Sequence, residues 1–160
     1  MKPELIEGSI HKDARGTIAY NNIFSECLTD QGIKKVFTLR NTDTVFVRAW
    51  QGHAVEQRWF SALTGKFKVL LIEIDDWNNP SPGLPQLEFV LTADQMDILH
   101  IPAGYASSIQ ALDESSVLLV MADYAQGELQ DEYRFPPEYF KEKQCEISNE
   151  EDLPVTKANL

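Results

Sequence analysis

Between residues 33 and 122 the chain runs in short stretches of β-branched and aromatic residues, and no window sustains the 3.6-residue period of an amphipathic helix. These stretches predict eight strands, at 33–39, 45–50, 58–63, 66–74, 86–91, 97–101, 107–112 and 117–122. Thr64-Gly65 reads as a tight hairpin between two of them. Along 66–74, Lys66-Phe67-Lys68-Val69 alternates, whereas Leu70-Leu71-Ile72 is apolar at every position. That change predicts a strand near the middle of a sheet, packed on both faces. The segment 78–85, with prolines at 80, 82 and 85, cannot sustain a ladder and reads as a surface loop. The spacing as a whole predicts an all-β fold, a jelly roll or small barrel.

Beyond Tyr124 the alternation stops. Residues 127–131 are polar, Arg134-Phe135-Pro136-Pro137 breaks regular structure, and Glu138-Tyr139-Phe140-Lys141 predicts a short helical segment docked on the barrel. Ser148-Asn149-Glu150-Glu151-Asp152 with Pro154 after it reads as an acidic, solvated tail. The expected organisation is one domain over 1–146 and a tail over 147–160.

Composition narrows the partners. With 14 Lys+Arg against 25 Asp+Glu the formal charge is -11, which argues against the phosphate backbone of nucleic acid as a partner. No apolar run reaches the roughly 18 residues of a membrane span, and residues 1–5 lack the apolar core of a secretory signal, so a soluble cytoplasmic protein is expected. Cys27 and Cys145 stand far apart without paired CxxC spacing and read as structural thiols. Glycine-rich phosphate loops, GxSxG and HExxH are all missing.

Four stretches carry a resemblance when taken in order. They are Asp13-Ala14-Arg15-Gly16, then Arg48-Ala49-Trp50-Gln51-Gly52-His53 followed by Gln57, then the hairpin at Gly65, then Ile101-Pro102-Ala103-Gly104-Tyr105. Together they resemble the cupin-type nucleotide-sugar epimerases and ketoisomerases, the group of dTDP-4-dehydrorhamnose 3,5-epimerase and the TDP-4-keto-6-deoxyglucose ketoisomerases. The resemblance spans roughly residues 13–140. It implies an RmlC-like cupin jelly-roll β-barrel and a homodimer.

The resemblance also implies roles. Arg15 corresponds to a stretch that helps hold the nucleotide diphosphate, and its planar fork suits phosphate oxygens. The alternative, which the residues by themselves favour, is a plain turn with Asp13 bonded to nearby backbone, Gly16 in an unusual dihedral and Arg15 solvated. Gln51 stands where the family keeps its principal basic histidine. His53 stands at the second histidine position of the ketoisomerases. A carboxamide has no basic lone pair, so His53 is the expected acid-base group, against the alternative of a half-buried histidine satisfied by backbone. Gln51 and His53 share a strand face, while Arg48 has the opposite parity and points away from the lumen unless a bulge intervenes. Arg58 corresponds to a lysine that stabilises the enolate oxygen, or else covers a strand edge. Tyr124 aligns with the tyrosine general acid, or is a rim aromatic.

Ser107 replaces the histidine of the second cupin motif, and with only His11, His53 and His100 in the chain no catalytic metal and no cofactor is expected. His100 is expected to be exposed or at an interface. Trp50, Trp59 and Phe60 are read either as ligand-stacking planes or as core. Lys66 and Lys68, with Arg58 and Arg15, are expected to form a basic patch for a diphosphate.

The expected site is thus catalytic His53, Arg58 and Tyr124, with Arg15, Arg48, Gln51, Gln57 and Lys68 binding substrate. The expected function is a nucleotide-sugar epimerase or ketoisomerase acting on a dTDP-4-keto-6-deoxyhexose through an enolate, in cell-surface polysaccharide biosynthesis. The alternative is a catalytically inactive cupin that binds a sugar nucleotide or carbohydrate.

Overall fold

A computed structural model describes residues 1–140 of the 160. Twelve strands follow in order: β1 Glu4–Ile6, β2 Ser9–Asp13, β3 Gly16–Tyr20, β4 Lys35–Leu39, β5 Val47–His53, β6 Arg58–Thr64, β7 Lys66–Glu73, β8 Leu87–Thr92, β9 Ile98–Ile101, β10 Tyr105–Ala111, β11 Val117–Ala122 and β12 Tyr133–Arg134. A 3-10 turn, Phe24–Cys27, is the only helical element among the described residues. None of these elements is a helix long and apolar enough to cross a membrane.

Two five-stranded antiparallel sheets face each other, ordered β1-β9-β6-β11-β4 and β12-β5-β10-β7-β8, and β2-β3 forms a separate hairpin. Phe60, Leu99, Leu118 and Val120 of the first sheet pack on Phe67, Val69, Leu71 and Ile109 of the second. Strand β7 lies between β10 and β8, as its two-sided apolar run predicts. Its alternate residue Ile72 belongs to an outer layer with Trp50, Ile74, Ala106 and Phe140. Phe135, Tyr139 and Trp77 complete that coat, so the segment after β12 closes over the outside of the second sheet. Its described part forms turns, with Tyr139 N–H donating to the Pro136 carbonyl at 3.0 Å, where the sequence predicts a helix; Lys141 lies outside the described residues. So does the predicted acidic tail, and so does Cys145.

The β6–β7 hairpin needs its glycine. Gly65 has φ +75°, and a Cβ there would stand 2.0 Å from Ser116 Oγ. That hydroxyl is already fixed, donating to the Asp113 carbonyl at 2.7 Å and accepting from Lys66 N–H at 3.1 Å.

The decisive irregularity lies between β5 and β10. Ser107 pairs with Gln51 but Ser108 pairs with Ala49, so Trp50 is an extra residue, a β-bulge. Trp50 therefore faces the outer coat, packing edge-on against Phe140 at 5.3 Å. Every position before it changes face.

Candidate active site

The end of the sandwich holds a cavity of about 730 Å³, walled by β4, β5, β6 and β10 and by residues 124–134. Because of the bulge, Arg48 joins Gln51 and His53 on this wall. The parity expectation for Arg48 is thus corrected by the one exception that it allowed, with the extra residue at Trp50. Arg58 and Tyr124 also line the cavity, so it gathers five of the eight expected site residues.

The other three lie elsewhere. Gln57 turns away from the lumen: its Oε1 lies 2.7 Å from His100 Nε2 and its N–H donates to Asp123 at 2.9 Å. Lys68 has the parity of Leu70 and lines a smaller hollow of about 270 Å³ on the outer face, with Trp50 and Phe140. Arg15 sits at the tip of the β2-β3 hairpin, fully exposed, with its guanidinium and its backbone N–H both donating to the Asp13 carboxylate. Gly16 there has φ +132°. These are the features of the plain turn. The basic patch proposed for Arg15, Arg58, Lys66 and Lys68 is not assembled. The cations on the cavity wall are instead Lys35, Arg48, Arg58 and Arg134, against Glu56, Asp131 and Glu132.

His53 ends β5 and is 8% exposed. Its Nδ1 lies 2.9 Å from the backbone carbonyl of Asp131 and 3.4 Å from Glu56 Oε1. Both neighbours are acceptors, so Nδ1 carries the hydrogen. Nε2 is buried with no hydrogen-bond partner, and in this tautomer it is a bare lone pair. Burial, and then the Arg58 charge, hold the imidazole below its usual value; Glu56 and Asp131 pull the other way. The ring is therefore neutral near pH 7.

Glu56, buried just after β5, joins the cations to this ring. Arg58 Nη2 stands 3.3 Å from its Oε1, and Lys35 Nζ stands 3.0 Å from Oε2, an ion pair whose angle falls outside hydrogen-bond geometry. Arg58 lies over the Phe37 ring at 5.7 Å, and its buried Nε has no acceptor. A donor held in low dielectric without an acceptor is suited to receive an oxyanion. Gln51 lies beside Glu132, which pairs with Arg134. Burial raises the Glu132 carboxyl, but these neighbours and the nearby positive charge outweigh it and leave the group below its ordinary value.

Asp131, like Glu132, Tyr133 and Glu56, is given no role by the sequence reading. Its carboxylate accepts backbone N–H from Ala54, Val55 and Glu56 at 2.8–2.9 Å. Acid residues are plentiful here, and nothing in the local pattern of 127–131 distinguishes this one.

Several other expectations are settled by burial. His100 is buried, not exposed: it stacks on Trp59 at 5.0 Å, and burial lowers its pKa, with Glu4 opposing. Trp59 is fully buried and Trp50 belongs to the coat, so both are packing residues; Phe60 is both core and cavity wall. Cys27 is half-buried, its Sγ accepting from Trp59 Nε1 at 3.2 Å and donating to the Phe24 carbonyl at 3.0 Å; burial raises its pKa. Among the described residues no three His, Cys, Asp or Glu side chains cluster as a metal ion would need. Ser107 lines the cavity.

No curated protein matches the chain. Among solved structures, a mutant of the 3,4-ketoisomerase QdtA from Thermoanaerobacterium thermosaccharolyticum, in complex with TDP-4-keto-6-deoxyglucose, is 19% identical with a TM-score of 0.64; the match covers 97% of this chain and 96% of that one. The epimerase RmlC from Legionella pneumophila, in complex with dTDP-4-keto-L-rhamnose, is 16% identical with a TM-score of 0.66, covering 84% of this chain and 73% of that one. The 3'-monoepimerase ChmJ from Streptomyces bikiniensis, in complex with dTDP-quinovose, is 16% identical with a TM-score of 0.65, covering 84% and 70%. At such identities the likeness is one of fold, and that fold is the RmlC-like cupin jelly roll. The family profile described as "FdtA: WxcM-like, C-terminal" matches residues 1–144, and the chain belongs to that family.

Proposed function

We propose that the protein is a nucleotide-sugar isomerase, a ketoisomerase or epimerase acting on a dTDP-4-keto-6-deoxyhexose by proton transfer through an enolate. One observation carries this reading: His53 Nε2, buried without a hydrogen-bond partner, shares a cavity with Arg58 Nε, a donor that also lacks an acceptor. The similar ketoisomerase and epimerase folds, whose structures hold TDP-linked sugars, support the substrate class.

In the proposed reaction, His53 Nε2 takes the proton from the carbon beside the ketone. The C–H electron pair becomes the new C=C bond, and the carbonyl π pair moves onto oxygen as an enolate facing Arg58. Return of a proton to the same carbon from the other face gives the epimer, with Tyr124 as the donor. Return to the former carbonyl carbon, with transfer of the neighbouring hydroxyl proton, gives the isomeric ketone. Arg48 supplies charge for the diphosphate, and Gln51, a cavity-wall carboxamide with no basic lone pair, orients rather than exchanges protons. The assembly we propose is a homodimer in which a second copy covers the exposed Ile10, Ile18, Val36 and Phe46.

Proton NMR in deuterium oxide tests the reaction. The wild type should exchange the proton beside the ketone of TDP-4-keto-6-deoxyglucose, and His53→Asn should lower that rate by about 10²-fold or more. Exchange undiminished in the variant removes His53 as the base. A rise in melting temperature with the ligand but no exchange would replace the isomerase with a silent sugar-nucleotide binder.

A further inference from the structure

Proton abstraction as described gives Asp131 no part, yet this residue is buried and touches the base through one atom and its supporting loop through two others. Its Oδ1 accepts Ala54 N–H at 2.9 Å, and its Oδ2 accepts Val55 and Glu56 N–H at 2.9 and 2.8 Å. Its backbone carbonyl accepts from His53 Nδ1 at 2.9 Å. The carboxylate thus fastens residue 131 to the loop that leaves β5, while the carbonyl of the same residue meets the ring at the end of β5. Three amides converging on one carboxylate leave that carbonyl little freedom to move.

We propose that Asp131 is a positioning residue: its carboxylate clamps the 131 carbonyl against His53 Nδ1 and so holds the imidazole in the tautomer whose lone pair lies on Nε2. This rests on reading His53 as the base. A neutral histidine free in water favours the opposite tautomer, with hydrogen on Nε2, which could not abstract a proton there. The arrangement found must therefore be imposed by its neighbours. With the clamp gone, the remaining acceptor near Nδ1 is Glu56 Oε1 at 3.4 Å, which also faces the Arg58 guanidinium. A ring held only by that longer contact can turn over or exchange tautomers.

Nitrogen-15 NMR of histidine-labelled protein, at a pH where the rings are neutral, reads the tautomer without any need for turnover. In the wild type, His53 should show a pyrrole-type Nδ1 and a pyridine-type Nε2, with free histidine in the same buffer as the reference for an averaged ring. In Asp131→Ala the two His53 signals should move towards the averaged positions. The kcat for deuterium exchange should fall on the order of 10²-fold with KM within about twofold. Asp131→Asn, which keeps one oxygen for the amides, should fall between the two. Hydrogen on Nε2 in the wild type overturns the inference, as does an unchanged pyrrole-type Nδ1 in Asp131→Ala. If the alanine variant does not fold, the wild-type and asparagine spectra decide by the same criteria. A wild type with the expected tautomer but no exchange sustains the clamp and removes the isomerase reading instead.

Discussion

Glu56 stands where an imidazole, a guanidinium and an ammonium meet, with Nδ1 of His53 at 3.4 Å, Arg58 Nη2 at 3.3 Å and Lys35 Nζ at 3.0 Å. Its negative charge raises the His53 pKa against burial and Arg58, which lower it. Replacing Glu56 by Gln removes the raising influence, so the imidazole protonates only at lower pH. The acid limb of kcat/KM, where the base is lost to protonation, should therefore move to lower pH, and a limb that stayed in place or moved up would contradict the assignment. The same change leaves two cations without their shared counter-charge and should cost on the order of 1–3 kcal/mol by denaturant unfolding. Residue identities gave only part of this picture. His53, Arg58 and Tyr124, expected from the resemblance, do line one cavity, because their strand and rim positions could be matched in order along the chain. Gln57 and Lys68 lie off the cavity because a position along the chain says nothing of the side chain's partner, which for Gln57 is the buried His100.

Strands were the most legible level. All eight predicted strands exist, and the run from Val117 to Ala122 matches to the residue, because half-buried pairs of sheets impose a period that survives in sequence. Strands β2 and β3 escaped notice because every one of their residues is exposed and no burial pattern marks them. Strand β12 has two residues, too few for any period. The bulge at Trp50 is invisible to a periodicity argument for a different reason: alternation is intact on either side of it, and only pairing to Ser107 and Ser108 reveals the extra residue. At the β6–β7 hairpin the element-level prediction is sharp. Gly65→Ala places a methyl 2.0 Å from Ser116 Oγ on a backbone with φ +75°, so about 1–3 kcal/mol of stability should be lost, read as a drop in melting temperature. An unchanged melting curve would mean that the hairpin can relax freely.

At the scale of the molecule, an acidic chain concentrates four cations around one cavity, an arrangement that composition alone hides. The apolar residues left exposed on β2, β3 and β4 make the dimer a matter of surface area as well as resemblance. Sedimentation at micromolar concentration should give a dimer, and Val36→Glu should shift the population towards monomer; a wild-type monomer would retire the proposal. The segment from Asp131 to Phe140 begins as cavity wall and ends as outer coat, with the Tyr133 ring tilted against Trp77 at 4.7 Å on the way. Such a stave, riveted inside and out, cannot swing like a hinged cover. Widening the lumen there would strip aromatic rings from the far side of the sheet, which leaves the rim where Phe37, Gln126 and Gly127 stand in solvent as the less encumbered side of the cavity.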